Sequence, residues 1–233
     1  MNDSKIIVAL DYDNMDSVKG IVKQLDASQC RLKIGKELFT ACGPSVVDFV
    51  QNAGFDVFLD LKFHDIPVTT AKACKAAANM NVWMVNVHAL GGKAMLEAAK
   101  NAVLSSNSTN QTKLIAVTML TSLDNESYAQ LGFSRTLDEQ VSFLAHSALN
   151  AGLDGVVCSA KETASLRQEI ERDFIFVTPG IRPSGTDLND QKRAVTPSEA
   201  IQNGSDYLVI GRPITQSPDP KSALAAIFSS INE

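Results

Sequence analysis

Apolar residues along this chain fall in short continuous runs, separated by longer segments in which they recur with helical spacing. The runs predict strands at residues 5–10, 31–34, 55–61, 84–87, 114–118, 155–158, 174–177 and 207–210. The segments between them predict helices near residues 17–25, 43–52, 67–80, 93–103, 137–151, 160–170 and 196–203, with a last one at 220–231. A strand followed by a helix, eight times over, is the arithmetic of an α/β chain folded as one (β/α)8 TIM barrel. A doubly wound open sheet is the alternative. No linker, repeat or low-complexity stretch interrupts the pattern, so residues 1–233 are expected to form a single domain.

Two connections stand out. Residues 105–112 are polar and predict a surface loop. The connection at about residues 178–195 is long, contains Pro179, Gly180, Pro183 and Gly185, and carries Arg182, Lys192 and Arg193. Long loops without regular structure in compact domains are often lids, and this one is expected to be one.

Active sites of such barrels lie at the C-terminal ends of the strands. Asp11 follows the first run and Lys33 sits near the end of the second. The third delivers Asp60 and Lys62, the fourth Asn86 and His88, and the fifth Thr118, Thr121 and Ser122. The sixth leads to Ser159, the seventh to Pro179-Gly180-Ile181-Arg182, and the eighth to Gly211-Arg212-Pro213. Strand side chains alternate, so Asp60 and Lys62 are expected on one face. Burying such a pair without a purpose is costly. Taken singly, Asp11 is also a turn former, Lys33 a solvated strand end, Asp60 with Lys62 a structural ion pair, and His64 and His88 packing residues. Collected on one rim, they point to a site. Gly211 permits close backbone approach, and Arg182 and Arg212 suit a phosphate.

Composition narrows the choices. The chain is 45% hydrophobic and 20% charged, as expected of a soluble globular protein. A net charge of −5 argues against nucleic-acid or anionic-membrane partners. The four cysteines and three histidines are dispersed, with no C-x-x-C pair, so neither a structural metal site nor a disulfide framework is expected. The first apolar run is too short for a signal-peptide core or membrane span, which makes the cytoplasm the expected location.

The stretch Leu59-Asp60-Leu61-Lys62-Phe63-His64-Asp65-Ile66-Pro67 resembles the active-site signature of the orotidine 5′-phosphate decarboxylase family. Ala9-Leu10-Asp11, Leu32-Lys33-Ile34-Gly35, Asn86-Val87-His88-Ala89, Leu120-Thr121-Ser122, Thr178-Pro179-Gly180-Ile181-Arg182 and Val209-Ile210-Gly211-Arg212-Pro213 match in order. The resemblance spans almost the whole chain. One departure is Val68, where many members have Asn; Thr69 is retained.

The resemblance implies decarboxylation of orotidine 5′-phosphate to UMP, with no metal and no organic cofactor. It implies catalytic roles for Lys33, Asp60, Lys62 and Asp65, with Lys62 stabilising the C6 carbanion and donating the proton. It also implies a homodimer in which Asp65 and Thr69 enter the partner's site. Asp11 and Lys33 would contact the ribose, and Thr121 and Ser122 the base. Arg182, Gly211 and Arg212 would hold the phosphate, with Gln191 reaching it from the lid. Two other functions stay open: a metal-using relative acting on a sugar phosphate, and a barrel that binds a phosphate ligand without turnover.

Overall fold

A computed structural model of the protein describes residues 4–170, 173–183 and 195–231. The strands are β1 (Ile6–Leu10), β2 (Arg31–Gly35), β3 (Val57–Phe63), β4 (Met84–His88), β5 (Lys113–Val117), β6 (Gly155–Val157), β7 (Ile175–Thr178) and β8 (Tyr207–Ile210). They pair in parallel, in sequence order, and β8 closes on β1 to complete the barrel, with Ile7 opposite Val209. The barrel prediction holds, and the open sheet is set aside.

The helices are α1 (Met15–Val22), α2 (Lys36–Cys42), α3 (Ser45–Asn52), α4 (Pro67–Asn79), α5 (Gly92–Leu104), α6 (Asn125–Ala129), α7 (Leu137–Asn150), α8 (Thr163–Glu169), α9 (Pro197–Gln202), α10 (Arg212–Thr215) and α11 (Pro220–Ser230). Their starts carry local signals. Thr136 and Thr196 form capping boxes with Glu139 and Glu199, and a proline opens α4, α9 and α11. The short α2, α6 and α10 were not anticipated. They are turns of helix set into the connections after β2, β5 and β8, too brief to show an apolar period.

The core has two layers. On β1, Ile6, Val8 and Leu10 pack outward against the helices. Ile7 and Ala9 point inward and join Phe58, Met84, Ile115, Val177 and Val209 inside the barrel. On β1 both faces are apolar, so the strand reads as an unbroken run rather than an alternating one. Arg31 closes the N-terminal end: its guanidinium lies 4.3 Å from the Trp83 ring centroid and 5.3 Å from that of Tyr207, and its Nε is 3.2 Å from Asp56.

One strand departs from regularity. The β3–β4 register runs Leu59↔Val85, then jumps to Phe63↔Val87, so four steps along β3 match two along β4. Lys62 lies in this irregular stretch with φ of 52°. Simple alternation therefore does not account for Asp60 and Lys62 meeting; a bulged backbone brings them together.

Candidate active site

The C-terminal ends of the strands open onto a cavity of about 290 Å³. Its apolar base includes Ala9, Phe58, Val117, Val157 and Val209. Charged groups ring it: Asp11 beyond β1, Lys33 on β2, Asp60 and Lys62 on β3, and Arg182 and Arg212 beyond β7 and β8. Thr121 and Gly211 also line it. Much of the rim expected from sequence thus lines one cavity.

Asp60 is the hub. Its Oδ1 accepts from Lys62 Nζ at 2.6 Å and from Asn86 Nδ2 at 2.7 Å, while its Oδ2 lies 3.4 Å from Lys33 Nζ. Lys33 Nζ is also 3.4 Å from Asp11 Oδ1. Burial pushes the Asp60 pKa up, but Lys33 and Lys62 together outweigh it, and the carboxyl is held below its usual range. Charges alternate from Asp11 through Lys33 and Asp60 to Lys62. Asp60 is pinned by Lys62 and Asn86, so little rearrangement is needed to present the Lys62 ammonium group to the cavity. Gly35 leaves room for this: a Cβ there would come within 3.3 Å of Lys33 Nζ.

The opposite wall is cationic. Arg182 is buried, and its Nη1 donates to the carbonyl of Ile181 at 2.9 Å. Its Nε is buried with no partner among the described residues. Burial, and then Arg212 nearby, lower its pKa. Two guanidinium groups converging on a cavity favour an anion between them, and a phosphate matches their forked donors. Gly211 brings the backbone close, since a Cβ there would sit 3.4 Å from Asp11 Oδ2.

Three expected site residues stand apart from this cavity, and a fourth is not among the described residues. Asp65 and Thr69 are exposed at the start of α4 and do not line it; Asp65 Oδ1 accepts from the Ile66 N–H at 2.6 Å. Ser122 is exposed and does not line it either. Gln191 lies outside the described residues, as does most of the long connection. One polar participant was noticed in sequence without being given a role: Asn86, fully buried on β4 and bonded to Asp60. A polar residue within an apolar strand was the available signal.

His64 and His88 form a ring pair with centroids 5.6 Å apart. Burial and the neighbouring His64 lower the His88 pKa to about 4, so its ring is neutral at physiological pH. That suits the packing role expected for His88; His64 is exposed.

The sequence profile described as "Orotidine 5′-phosphate decarboxylase / HUMPS family" matches residues 4–227. The chain belongs to this family. Among relatives named orotidine 5′-phosphate decarboxylase, that of Nitrosococcus oceani is 53% identical over 100% of this chain and 99% of its own. That of Pseudoalteromonas translucida is 56% identical over 97% of each. The crystal structure of orotidine 5′-phosphate decarboxylase from Lactobacillus acidophilus superposes with a TM-score of 0.89 at 38% identity, covering 99% of this chain and 100% of that one. The orotidine 5′-phosphate decarboxylase / HUMPS family unites more than one reaction by its own description, so the choice among them rests on these relatives and on the site.

Proposed function

We propose that this chain is an orotidine 5′-phosphate decarboxylase, a carboxy-lyase that forms UMP as the last step of pyrimidine nucleotide synthesis, without metal or organic cofactor. The observation that carries this is the Asp11–Lys33–Asp60–Lys62 charge array facing two convergent arginines across one cavity. The distribution matches a substrate with a phosphate at one end and a reacting carboxylate at the other.

Loss of CO2 from C6 leaves an electron pair in the plane of the pyrimidine ring. Lys62 supplies a cation where that charge develops, then the proton that replaces CO2. Asp60 holds the Lys62 ammonium and excludes a freely rotating lysine. The apolar base of the cavity accepts the flat face of the ring, with Thr121 and Ser122 near its edge. Asp11 and Lys33 bind the ribose hydroxyls. Arg182, Arg212 and the Gly211 backbone hold the phosphate, and Gln191 reaches it from a lid spanning residues 178–195. Phosphate binding contributes to the rate because its free energy closes the lid around the reacting end.

The protein works as a homodimer in the cytoplasm, with each site completed by Asp65 and Thr69 of the other subunit. Their exposure supports this, as does the interleaving of Asp65 and Thr69 with the exposed apolar side chains Ile66 and Val68. The test is the loss of orotidine 5′-phosphate absorbance with purified protein in chelator. Turnover in chelator is expected. Binding of UMP with no turnover would replace catalysis with a binding role, and turnover abolished by chelator would replace it with a metal-using reaction.

A further inference from the structure

We propose that Asn86 is a positioning residue for the proposed decarboxylation, fixing both members of the Asp60–Lys62 pair from the neighbouring strand. Its side chain bridges to β3 where the β3–β4 register shifts between Leu59 and Phe63. Asn86 Oδ1 accepts from the backbone N–H of Lys62 at 2.8 Å, and Asn86 Nδ2 donates to Asp60 Oδ1 at 2.7 Å. The amide orientation follows from its partners: a backbone N–H requires the oxygen, so the NH2 must face the carboxylate.

The two bonds act on different things. The first holds the backbone of Lys62 in a left-handed conformation, φ 52°, which a residue with a Cβ adopts only against steric crowding. Without that bond the Lys62 N–H, inside an interrupted ladder, has no strand partner to replace it. The second bond fixes the Asp60 carboxylate plane, so that Oδ1 faces Lys62 and Oδ2 faces Lys33. Asn86 is itself completely buried and carried by a regularly paired strand, with Ile115 opposite. It is a rigid reference for two groups on an irregular strand. A misplacement of about 1 Å in such an array costs on the order of 100-fold in rate.

Asn86→Leu keeps the approximate shape and removes both bonds. It is expected to lower kcat by about 10–100-fold while KM changes by less than about threefold, because phosphate and ribose are held by other residues. Asn86→Asp separates the halves. It still accepts from the Lys62 N–H but presents a second carboxyl to Asp60. The two carboxyls must then share a proton to stay in contact, so the variant's kcat should rise on acidification and fall as pH rises through the pair's titration. A residue that merely fills space would leave the shape of the pH profile unchanged. The proposal is overturned if Asn86→Leu keeps kcat within about twofold, or if the Asn86→Asp profile overlays that of the unmodified protein.

Amide hydrogen exchange on the unmodified protein decides the matter if either variant fails to fold. The Lys62 N–H should be protected about 100-fold or more relative to an unstructured chain. Exchange at the rate of an open strand end would overturn the proposal. Absence of turnover by the unmodified protein would remove the decarboxylase function, while the exchange measurement still reports on the Asn86 bonds.

Discussion

Replacing Lys33 by methionine keeps the unbranched stem that packs along β2 and deletes the charge 3.4 Å from Asp60. At an effective dielectric of about 20, a pair at that separation attracts by roughly 5 kcal/mol, a gross ceiling from which the regained hydration of the ammonium must be subtracted. Breaking a buried pair by removing one member typically costs about 3–5 kcal/mol. Asp60 retains Lys62 and Asn86, so the cost falls to the bottom of that range or just below it, about 2–3 kcal/mol near pH 7. The pH dependence is the sharper signature. In the unmodified protein the Asp60 pKa is depressed, so its stabilising contribution is present above the unfolded carboxylate range and is lost as pH falls through the folded value. In Lys33→Met, burial opposes one cation fewer and the folded pKa moves up. Protonating Asp60 then removes the uncompensated charge, and the deficit relative to the unmodified protein shrinks on acidification. Urea unfolding of both proteins at intervals from about pH 7 to about pH 4 measures that deficit directly. A deficit that is below about 0.5 kcal/mol, or independent of pH, would refute the coupling of Lys33 to Asp60.

Three more outcomes are expected. Lys62→Ala and Asp65→Ala proteins should each be nearly inactive, and should regain activity when mixed and allowed to exchange subunits; no recovery despite demonstrated exchange would rule out the shared site. Arg182→Met should weaken UMP binding by about 30-fold or more, roughly 2 kcal/mol, and leave uridine binding unchanged; an equal loss for both ligands, measured calorimetrically, would exclude a phosphate role. Gly155→Ala would place a Cβ 2.2 Å from the Ile175 carbonyl oxygen, forcing β6 from β7, and should destabilise the fold by about 2–3 kcal/mol; an unchanged denaturation midpoint would contradict that crowding.

Most strands were legible because the barrel buries both strand faces, so they read as apolar runs; β2, where Arg31 and Lys33 alternate with Leu32 and Ile34, is the exception. Polar residues at the ends of those runs marked the rim without knowledge of the connections. The β3 distortion was not legible. An alternating reading of Asp60 and Lys62 reaches the right pairing through the wrong backbone, since neither the register jump nor the sign of φ leaves a trace in residue types when the residue is lysine. Asn86 escaped assignment for a related reason: its partners are a neighbouring carboxylate and a displaced N–H, and both depend on how two strands align. Nothing in the sequence marks Arg31, at the start of β2, as the residue whose flat guanidinium lies beside Trp83 and Tyr207 at the N-terminal end of the barrel. Ser122 shows that adjacency in a motif does not ensure a place in a cavity: Thr121 lines it and Ser122 does not.

The left-handed backbone of Lys62 sets chemistry against conformational preference at a single position. Among the described residues, the other non-glycine with positive φ is Asn81, a type that tolerates it. Glycine at position 62 would relieve about 1–2 kcal/mol of steric cost, part of which its own loss of about 0.5–1 kcal/mol in chain entropy would cancel. It would also remove the ammonium group from the cavity. Asp60 would then keep only Lys33 and Asn86, and the loss of this closer pair, about 2–3 kcal/mol by the reasoning applied to Lys33, outweighs the relief. The charge of Lys62 thus holds its own strained backbone in place, and substitution there gives up stability and chemistry together.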